Sequence, residues 1–271
     1  MRAAESINAE VWSSRKVLGQ FAARDGYIDP AEELLLARLT TSAAGRPILD
    51  VGMGAGRTIP LLATAGDGYV AVDYLPEMVE LARSLHPGVR IEQADARDLS
   101  AFADGSFGAV FFSYNGIDGI AHEDRAAVHR AAMRVLEPGG TYLYSTHNLD
   151  YCAAGLPPWH RLNLDLDNGP RAMLACAVRM PQRARSYQHL RPLTSRGEGW
   201  AVLVGSGYDF TVLWHHVTPA EAAAELERAG FVSPVEIFDA TGGTVSPRSS
   251  DTENSPWLYL LASKPGAAAP D

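Results

Sequence analysis

Short apolar runs alternate with segments of helical periodicity through the middle of the chain. Parallel strands that are covered on both faces are apolar throughout, so these runs predict buried strands of a parallel sheet. The five runs are residues 48–51, 69–73, 89–94, 107–113 and 141–146. Between them, Met78 and Ala82 lie on the apolar face of a helix predicted to begin at Pro76, and residues 123–136 predict another helix. The alternation predicts an α/β fold.

The segments on either side of these strands break the alternation. Residues 11–39 predict two amphipathic helices with a break at 25–30. After the fifth strand, residues 150–216 form an insertion with α and β parts. The elements predicted within it are a helix at 171–180 and a hairpin with strands at 199–204 and 208–216.

A helix and two strands are predicted for the last part of the chain. Thr218 and Glu221 form a capping box with Pro219 at the first helical position, and this helix is predicted to end at Gly230. The two strands are predicted at 231–240 and 257–263, as an antiparallel pair that closes the sheet, with a polar loop between them at 241–255.

Three glycines follow the first predicted strand at alternate positions. Glycine admits positive φ and lets a ligand approach the main chain, so Gly52, Gly54 and Gly56 predict a turn that cradles a cofactor. A dinucleotide-binding fingerprint needs its third glycine three residues after the second, but Arg57 stands there. Asp73 ends the second strand, where a carboxylate can accept hydrogen bonds from both hydroxyls of a ribose.

The motif D-x-G-x-G-x-G at residues 50–56 resembles the first motif of class I S-adenosylmethionine-dependent methyltransferases. The L-x-P-G-G turn at 136–140 and the order of the five strands carry the same resemblance over residues 45–150. It implies a Rossmann-like, doubly wound, mostly parallel seven-stranded sheet with an antiparallel terminal strand and an α+β lid insertion. The relatives it suggests are small-molecule methyltransferases with an inserted lid.

The resemblance also implies a division of the chain and a cofactor. The expected parts are N-terminal helices covering the cofactor site at 1–44, a methyltransferase core at 45–149 and 217–264, an acceptor lid at 150–216, and a flexible tail at 265–271. The expected cofactor is S-adenosyl-L-methionine, with S-adenosyl-L-homocysteine as the product and no metal.

Candidate cofactor contacts lie in the loops that follow the predicted strands. In the resemblance, Asp95 accepts a hydrogen bond from the adenine amine and the next main-chain amide donates to a ring nitrogen. Tyr27 either reaches the amino-acid end of the cofactor or packs under a loop, and Tyr74 and Met78 either flank the adenine or belong to the core. The predicted cofactor contacts are Tyr27, Asp50, Gly52, Gly54, Asp73, Tyr74, Met78, Asp95, Ala96, Arg97 and Ser113.

The acceptor is expected to meet the loops after the fourth and fifth strands. A hydroxyl or amine acceptor must lose a proton, and histidine is the usual base near neutral pH. Of the eight histidines, His147 is the leading candidate for the catalytic base because it directly follows the fifth strand. A structural role stays open for it. The predicted acceptor contacts are Tyr114, Asn115, His147, Trp214 and His216.

Charge and cysteine content narrow the expected partners. The net charge of −9, without clustered Lys and Arg, argues against a nucleic-acid partner. Cys152 and Cys176 have no metal-ligand spacing and no disulfide framework, which is typical of a reducing cytoplasm. We therefore expect a cytoplasmic protein without a nucleic-acid partner. The resemblance implies a small-molecule acceptor, and we further expect a soluble protein with no metal, no membrane partner and a homodimer formed through the lid.

Other functions stay open at this point. An NAD-dependent oxidoreductase also needs a glycine turn and an acidic ribose partner, although Arg57 departs from its fingerprint. A non-catalytic methyltransferase-like binding module keeps the fold without the reaction. Within methyltransferases, the acceptor is expected to be an O or N nucleophile of a small molecule of natural-product metabolism, with a peptide terminus as the alternative.

Overall fold

The computed structural model describes residues 3–23, 28–65, 68–112, 114–161, 170–249 and 252–267. The strands are β1 (Ile48–Val51), β2 (Tyr69–Asp73), β3 (Arg90–Gln93), β4 (Phe107–Phe112), β5 (Leu136–Asn148), β6 (Ser195–Gly197), β7 (Trp200–Gly205), β8 (Val212–Val217), β9 (Glu236–Asp239), β10 (Thr244–Val245) and β11 (Trp257–Ser263). The α-helices are α1 (Ala3–Trp12), α2 (Arg15–Ala22), α3 (Pro30–Ala43), α4 (Ile59–Leu62), α5 (Pro76–Leu85), α6 (His122–Val135), α7 (Pro170–Leu190) and α8 (Pro219–Arg228).

The main sheet has the strand order β3-β2-β1-β4-β5-β11-β9-β10. Its first five strands run parallel, and β11 lies antiparallel between β5 and β9. The structure therefore confirms the mostly parallel sheet with an antiparallel end. Because parallel strands end at one edge of a sheet, the loops after β1 to β5 meet there.

The hairpin of the insertion extends this same sheet. β8 pairs in parallel with the end of β5, so that His147 is opposite His216, and antiparallel with β7. β8 begins at Val212, later than the strand predicted at 208–216. Tyr208 and the two residues after it have positive φ, which an extended strand does not accommodate.

Helical segments are longer or more numerous than the sequence pattern indicated. The segment predicted as two helices at 11–39 contains parts of three, α1 to α3, and α7 continues well beyond the helix predicted at 171–180. α3 packs its fully buried Leu35 and Leu39 against the sheet. No helix in the described parts of the chain is long and apolar enough to cross a bilayer.

One side chain of α1 is hydrogen-bonded to the edge of the hairpin. Asn8 Nδ2 donates to the main-chain oxygen of Leu213 at 2.7 Å, and Asn8 Oδ1 accepts from the main-chain N–H of Leu213 at 2.9 Å. The amide thus satisfies an unpaired position of β8 as a neighbouring strand would. This places α1 beside the strand ends.

Candidate active site

A cavity of about 1290 Å³ lies at the edge of the sheet where the parallel strands end. Most of the predicted site residues line it: Gly52, Gly54, Asp73, Tyr74, Met78, Asp95, Ala96, Arg97, Tyr114, Asn115, His147, Trp214 and His216. Tyr27 and Ser113 lie outside the described residues. We call the part around Gly52, Gly54, Asp73 and Asp95 the glycine-loop end, and the part around His147, Trp214 and His216 the histidine end.

The glycines of the loop after β1 have the conformation that their spacing predicts. Gly52 and Gly54 have φ of +64° and +58°, in the left-handed region where a side chain is strained. A Cβ on Gly52 would also lie 2.5 Å from Cε2 of Phe112. Position 52 therefore requires glycine because of its packing against Phe112, whose ring itself lines the cavity, and not only because of a ligand.

Asp73 faces the glycine loop from the end of β2. Its Oδ2 accepts a hydrogen bond from the main-chain N–H of Gly54 at 2.9 Å, and its Oδ1 accepts one from Leu75 at 3.0 Å. Each oxygen keeps a second lone pair, so both can also accept from the hydroxyls of a ribose. Burial raises the pKa of Asp73 to about 6 although the hydrogen bonds oppose this.

Asp50 is placed differently from the prediction. Its side chain is 0% exposed and does not line the cavity. Asp50 Oδ2 accepts hydrogen bonds from the hydroxyls of Thr58, at 2.6 Å, and Tyr69, at 2.8 Å. The structure corrects the predicted cofactor contact. The Asp50 carboxylate connects Thr58, which follows the glycine loop, to Tyr69 on β2, and it does not line the cavity.

Asp95 lies at the edge predicted to hold adenine, but Arg97 already engages its carboxylate. Arg97 Nη2 lies 2.6 Å from Asp95 Oδ2, and Nη1 reaches Glu5 on α1 at 3.1 Å and Asp124 at 3.2 Å. Burial alone would raise the pKa of Asp95, but the hydrogen bonds from Arg97 outweigh it and lower the pKa. Arg97 therefore holds α1 against the glycine-loop end, and an adenine amine would share the carboxylate with it.

His147 forms a dyad with Asp118 at the histidine end. The distance between His147 Nδ1 and Asp118 Oδ2 is 2.7 Å, and the same oxygen accepts the main-chain N–H of His147 at 2.6 Å. A carboxylate can only accept, so Nδ1 carries the hydrogen, and in the neutral form of the ring Nε2 carries the lone pair. The side chain of His147 is 21% exposed and that of Asp118 is 0% exposed, so His147 is the member that a ligand meets.

Sequence reasoning did not assign Asp118 to the site. It lies in the short 3₁₀ turn after β4, 29 residues before its partner. A carboxylate in the loop after the fourth strand was the only available signal, and nothing local relates it to His147.

A buried arginine fixes Asp118 from the other side. Arg125 on α6 is 1% exposed, and its Nη1 donates to Asp118 Oδ1 at 3.0 Å while its Nη2 donates to Glu225 Oε2 on α8 at 2.9 Å. Thr146 Oγ1 donates to Asp118 Oδ1 at 2.6 Å. Burial alone would raise the pKa of Glu225, but the charge of Arg125 outweighs it and lowers the pKa. The orientation of Asp118 is thus set by side chains of α6 and β5, and Arg125 is held in turn by Glu225 of α8.

Aromatic rings surround the exposed part of His147. The centroid of the Trp214 ring lies 5.3 Å from the His147 ring and 5.4 Å from the Trp12 ring on α1. The His216 ring lies 5.0 Å from His147, and burial lowers the pKa of His216 to about 3, so His216 is neutral near pH 7. Trp12 was not among the predicted site residues because its contact with Trp214 is long-range.

Tyr114 and Asn115 connect the two ends of the cavity after β4. Both have positive φ, 41° and 57°, and such strain in residues other than glycine is concentrated at functional sites. The Tyr114 ring lies 4.9 Å from the guanidinium carbon of Arg57. Asn115 Oδ1 is buried, and within the described ranges no hydrogen bond reaches it, so it offers an acceptor to a ligand.

Comparison with known proteins agrees with this architecture. Residues 48–140 match the family described as methyltransferase domain. This part of the chain is a methyltransferase domain. The ubiquinone biosynthesis O-methyltransferase of Xanthomonas campestris pv. campestris is 36% identical over 134 residues, which are 46% of this chain and 54% of that protein. The chain therefore spans about half the length of the curated relatives it matches.

Solved structures extend the likeness beyond the methyltransferase domain. An S-adenosylmethionine-dependent methyltransferase from Mesorhizobium loti has a TM-score of 0.54 and 21% identity, covering 86% of this chain and 98% of that chain. An S-adenosylmethionine-bound amino pentose methyltransferase from Micromonospora echinaspora, involved in calicheamicin biosynthesis, has a TM-score of 0.51 and 16% identity, covering 85% and 89%. These likenesses establish the class I S-adenosylmethionine-dependent methyltransferase fold.

The glycine-loop end of the methyltransferase domain fits S-adenosylmethionine. Glu5, Asp73, Asp95 and Asp124 line it, and these carboxylates suit a ligand that carries a sulfonium cation. The buried Asn115 Oδ1 can accept from the ammonium group. Within the part of the chain that the structure describes, no group of three or more His, Cys, Asp or Glu side chains is arranged to hold a metal ion.

Proposed function

We propose that the protein transfers a methyl group from S-adenosylmethionine to an O or N nucleophile of a small, ring-bearing molecule. The observation that carries this proposal is that the glycine loop and the His147–Asp118 dyad open into one cavity. A cofactor cradle alone would suit a binding module. A cradle beside an oriented base suits a transfer reaction.

The glycine-loop end would hold the donor. Asp73 would accept from the ribose hydroxyls, Asp95 and the main-chain N–H of Ala96 would hold the adenine, and Met78 would pack on it. S-adenosylmethionine supplies a methyl group that is already activated by its sulfonium. The chain must therefore align the acceptor with that methyl group and exclude water, and alignment can contribute as much as roughly 7 to 11 kcal/mol.

The histidine end would prepare the acceptor. His147 Nε2 takes the proton from the acceptor hydroxyl or amine, while Nδ1–H stays hydrogen-bonded to Asp118. Asp118 stabilises the imidazolium that forms, as a buried carboxylate does in other acid–base dyads. Arg125 and Thr146 keep that carboxylate in place during the proton transfer.

The walls around His147 support a planar acceptor. Trp214 stacks on His147 at an interplanar angle of 27°, and Trp12 continues the aromatic surface. Tyr114 and Trp257, with ring centroids 6.2 Å apart, add aromatic surface to the cavity wall. The ubiquinone biosynthesis relatives carry the name O-methyltransferase, which favours a hydroxyl on a small molecule over a peptide terminus.

A nicotinamide-dependent reaction fits less well. Dinucleotide folds bind the pyrophosphate at the N-terminus of the helix that follows the glycine turn. Here that helix, α4, has only 4 residues. Arg57 stands where the third glycine is needed, and its guanidinium is hydrogen-bonded to Glu32 at 2.5 Å and 2.6 Å.

Calorimetric titration and a turnover assay together test the proposed function. We expect the purified protein to bind S-adenosylmethionine and to show no heat with NAD. We also expect it to release S-adenosylhomocysteine when catechols or aromatic amines are supplied as acceptors. Binding of NAD in place of S-adenosylmethionine would contradict the proposal. Binding of S-adenosylmethionine without release of S-adenosylhomocysteine from any acceptor would favour the non-catalytic binding module.

A further inference from the structure

Three cationic side chains line one wall of the cavity. Lys16 comes from α2, and Arg179 and Arg183 come from successive turns of α7. We call these three the basic wall. The proton transfer to His147 gives them no role, since it requires no cation there.

Among the described residues, the basic wall surrounds the carboxylate of Asp209. Arg183 Nε lies 3.1 Å from Asp209 Oδ1, Arg179 Nη1 lies 3.8 Å from the same oxygen, and Lys16 Nζ lies 3.5 Å from Oδ2. One carboxylate cannot neutralise three cations. Glu10, an exposed carboxylate on α1 that also lines the cavity, still leaves the cations in excess.

The pairing around Asp209 is also loose. The side chains of Lys16 and Arg179 are 67% and 57% exposed, and ion pairs of such exposure contribute little because water screens them. Arg183 is 22% exposed and holds Cys176 Sγ through Nη1 at 3.4 Å. The basic wall therefore keeps donors for a further anionic partner.

The backbone that presents Asp209 is strained. Tyr208, Asp209 and Phe210 are successive residues with φ of 51°, 59° and 63°. Residues other than glycine are strained in this conformation, and strain of this kind is found at ligand clamps. The same turn begins at Gly205, where a Cβ would lie 1.9 Å from Cδ1 of Trp214. Trp214 stacks on His147, so the basic wall adjoins the histidine end.

The two parts of the cavity thus have opposite charge. At the glycine-loop end, Glu5, Asp73, Asp95 and Asp124 outnumber the cations of Arg97 and Arg57, and Arg57 is itself paired with Glu32. Among the described residues, the basic wall has more cations than carboxylates. We propose that the acceptor carries an anionic oxygen group, a carboxylate or a phosphate, which binds between Arg179, Arg183 and Lys16. This inference rests on the proposed function, because it names the class of molecule that the site methylates. Arginine holds such groups through paired, charge-assisted hydrogen bonds.

A binding experiment tests the basic wall without requiring turnover. The protein saturated with S-adenosylhomocysteine is titrated with benzoate, phenyl phosphate and the neutral isostere benzamide. We expect at least one anion to bind about tenfold more tightly than benzamide, as charge-assisted hydrogen bonds allow, and the tighter anion identifies carboxylate or phosphate as the group. Benzamide binding as tightly as both anions would overturn the inference.

Matched variants locate the effect on the basic wall. The double variant Arg179→Gln, Arg183→Gln should remove the preference for the anion, whereas Arg183→Lys, which keeps the charge, should retain much of it. Arg179→Gln alone leaves the more buried Arg183 in place, so we expect this variant to fold even if the double variant does not. It should lower the affinity for the anion severalfold. Arg185→Gln, an exposed residue of the same helix that does not line the cavity, is the control and should bind as the wild type does. Wild-type anion binding in the variants lacking Arg179 would overturn the inference.

A turnover experiment separates this inference from the proposed function. The Michaelis constants of 3,4-dihydroxybenzoate and 3,4-dihydroxybenzamide are compared in the wild type and the double variant. The acid should have a Michaelis constant about tenfold lower, and the difference should vanish in the variant. Equal Michaelis constants for the two compounds in the wild type would contradict the anion site without contradicting the proposed methyl transfer. If benzoate binds in an arginine-dependent way but no methyl transfer is seen, the anion site is supported and the proposed function is contradicted.

Discussion

The two ends of the cavity are built in different ways. The glycine-loop end is formed by turns that directly follow parallel strands, with Gly52, Gly54, Asp73 and Asp95 lining the cavity. The histidine end is formed by side chains that come from distant elements, among them His147 on β5, Trp214 on β8 and Trp12 on α1. The glycine-loop end therefore follows from the strand order of the sheet, whereas the histidine end depends on the elements that pack around the sheet.

We propose that this difference separates recognition of the donor from choice of the acceptor. The glycine-loop end follows from a sheet topology that other methyltransferase structures share. The histidine end depends on the position of a hairpin and of α1, which Asn8 attaches to Leu213 across 205 residues of sequence. We expect changes at the glycine-loop end to affect donor binding, and changes at the histidine end to affect turnover and acceptor binding.

The largest expected effect on stability is at the buried support of the histidine end. Replacing Arg125 by Met leaves the carboxylates of Asp118 and Glu225 buried without their cation, which should lower the free energy of unfolding by about 3 to 5 kcal/mol. Urea unfolding measures this. Arg38→Met, which removes an exposed pair with Glu236, is the control and should cost less than about 1 kcal/mol. Similar losses in the two variants would contradict the supporting role of Arg125.

At the glycine-loop end, Asp73→Ala should weaken S-adenosylmethionine binding by about 1.5 to 3 kcal/mol, because charge-assisted hydrogen bonds to the ribose are lost. Burial raises the pKa of Asp73 to about 6. The carboxylate accepts from the ribose in its charged form, so donor affinity should fall as the pH is lowered through about 6.

Calorimetry at several pH values checks this dependence. Asp73→Asn removes the titrating group, so its weaker binding should be nearly independent of pH in the same range. A wild-type affinity that rises on acidification, or an Asp73→Asn variant with the same pH dependence as the wild type, would rule out the ribose role.

How well each part of the structure could be predicted depends on how close together in the sequence its determining residues lie. Strands β1, β2 and β4, the capping box at Thr218 and the turn at the glycines were predicted because their patterns lie within a few residues. The pairing of β8 with β5 was not, because nothing in an alternating run tells which strand it will join.

Two carboxylates illustrate the same limit within the site. Asp50 belongs to a motif and was expected at the cofactor, yet the alternation of strand side chains turns it toward Thr58 and Tyr69. Asp118 belongs to no motif, and its role appears only when the turn after β4 meets His147. A motif identifies a loop reliably, but the direction of each side chain is decided by the packing.

Trp214→Ala should raise the Michaelis constant of the acceptor about three- to tenfold, because the stacking surface beside His147 is lost. The affinity for S-adenosylmethionine should stay close to that of the wild type. Steady-state kinetics with a catechol acceptor measure the first effect. Trp159→Ala, an exposed tryptophan that does not line the cavity, is the control. An equal change in both variants would contradict the assignment of Trp214 to the acceptor wall.

A chelator should have the smallest effect. Asp118, the carboxylate nearest to His147, is engaged by Arg125, Thr146 and His147 itself, which leaves it poorly suited to a metal ion. Turnover should therefore be the same with and without EDTA. Loss of turnover that magnesium restores would show instead that Asp118 or Asp150 binds a divalent ion.

The separate action of the two ends is tested most directly by His147→Ala. Turnover and donor affinity are measured in the same preparation. We expect a turnover number lower by about a hundredfold or more, since proton transfer is lost, and an affinity for S-adenosylmethionine within about twofold of the wild type. Normal turnover between about pH 6 and 9, or a loss of donor affinity as large as the loss of turnover, would contradict it.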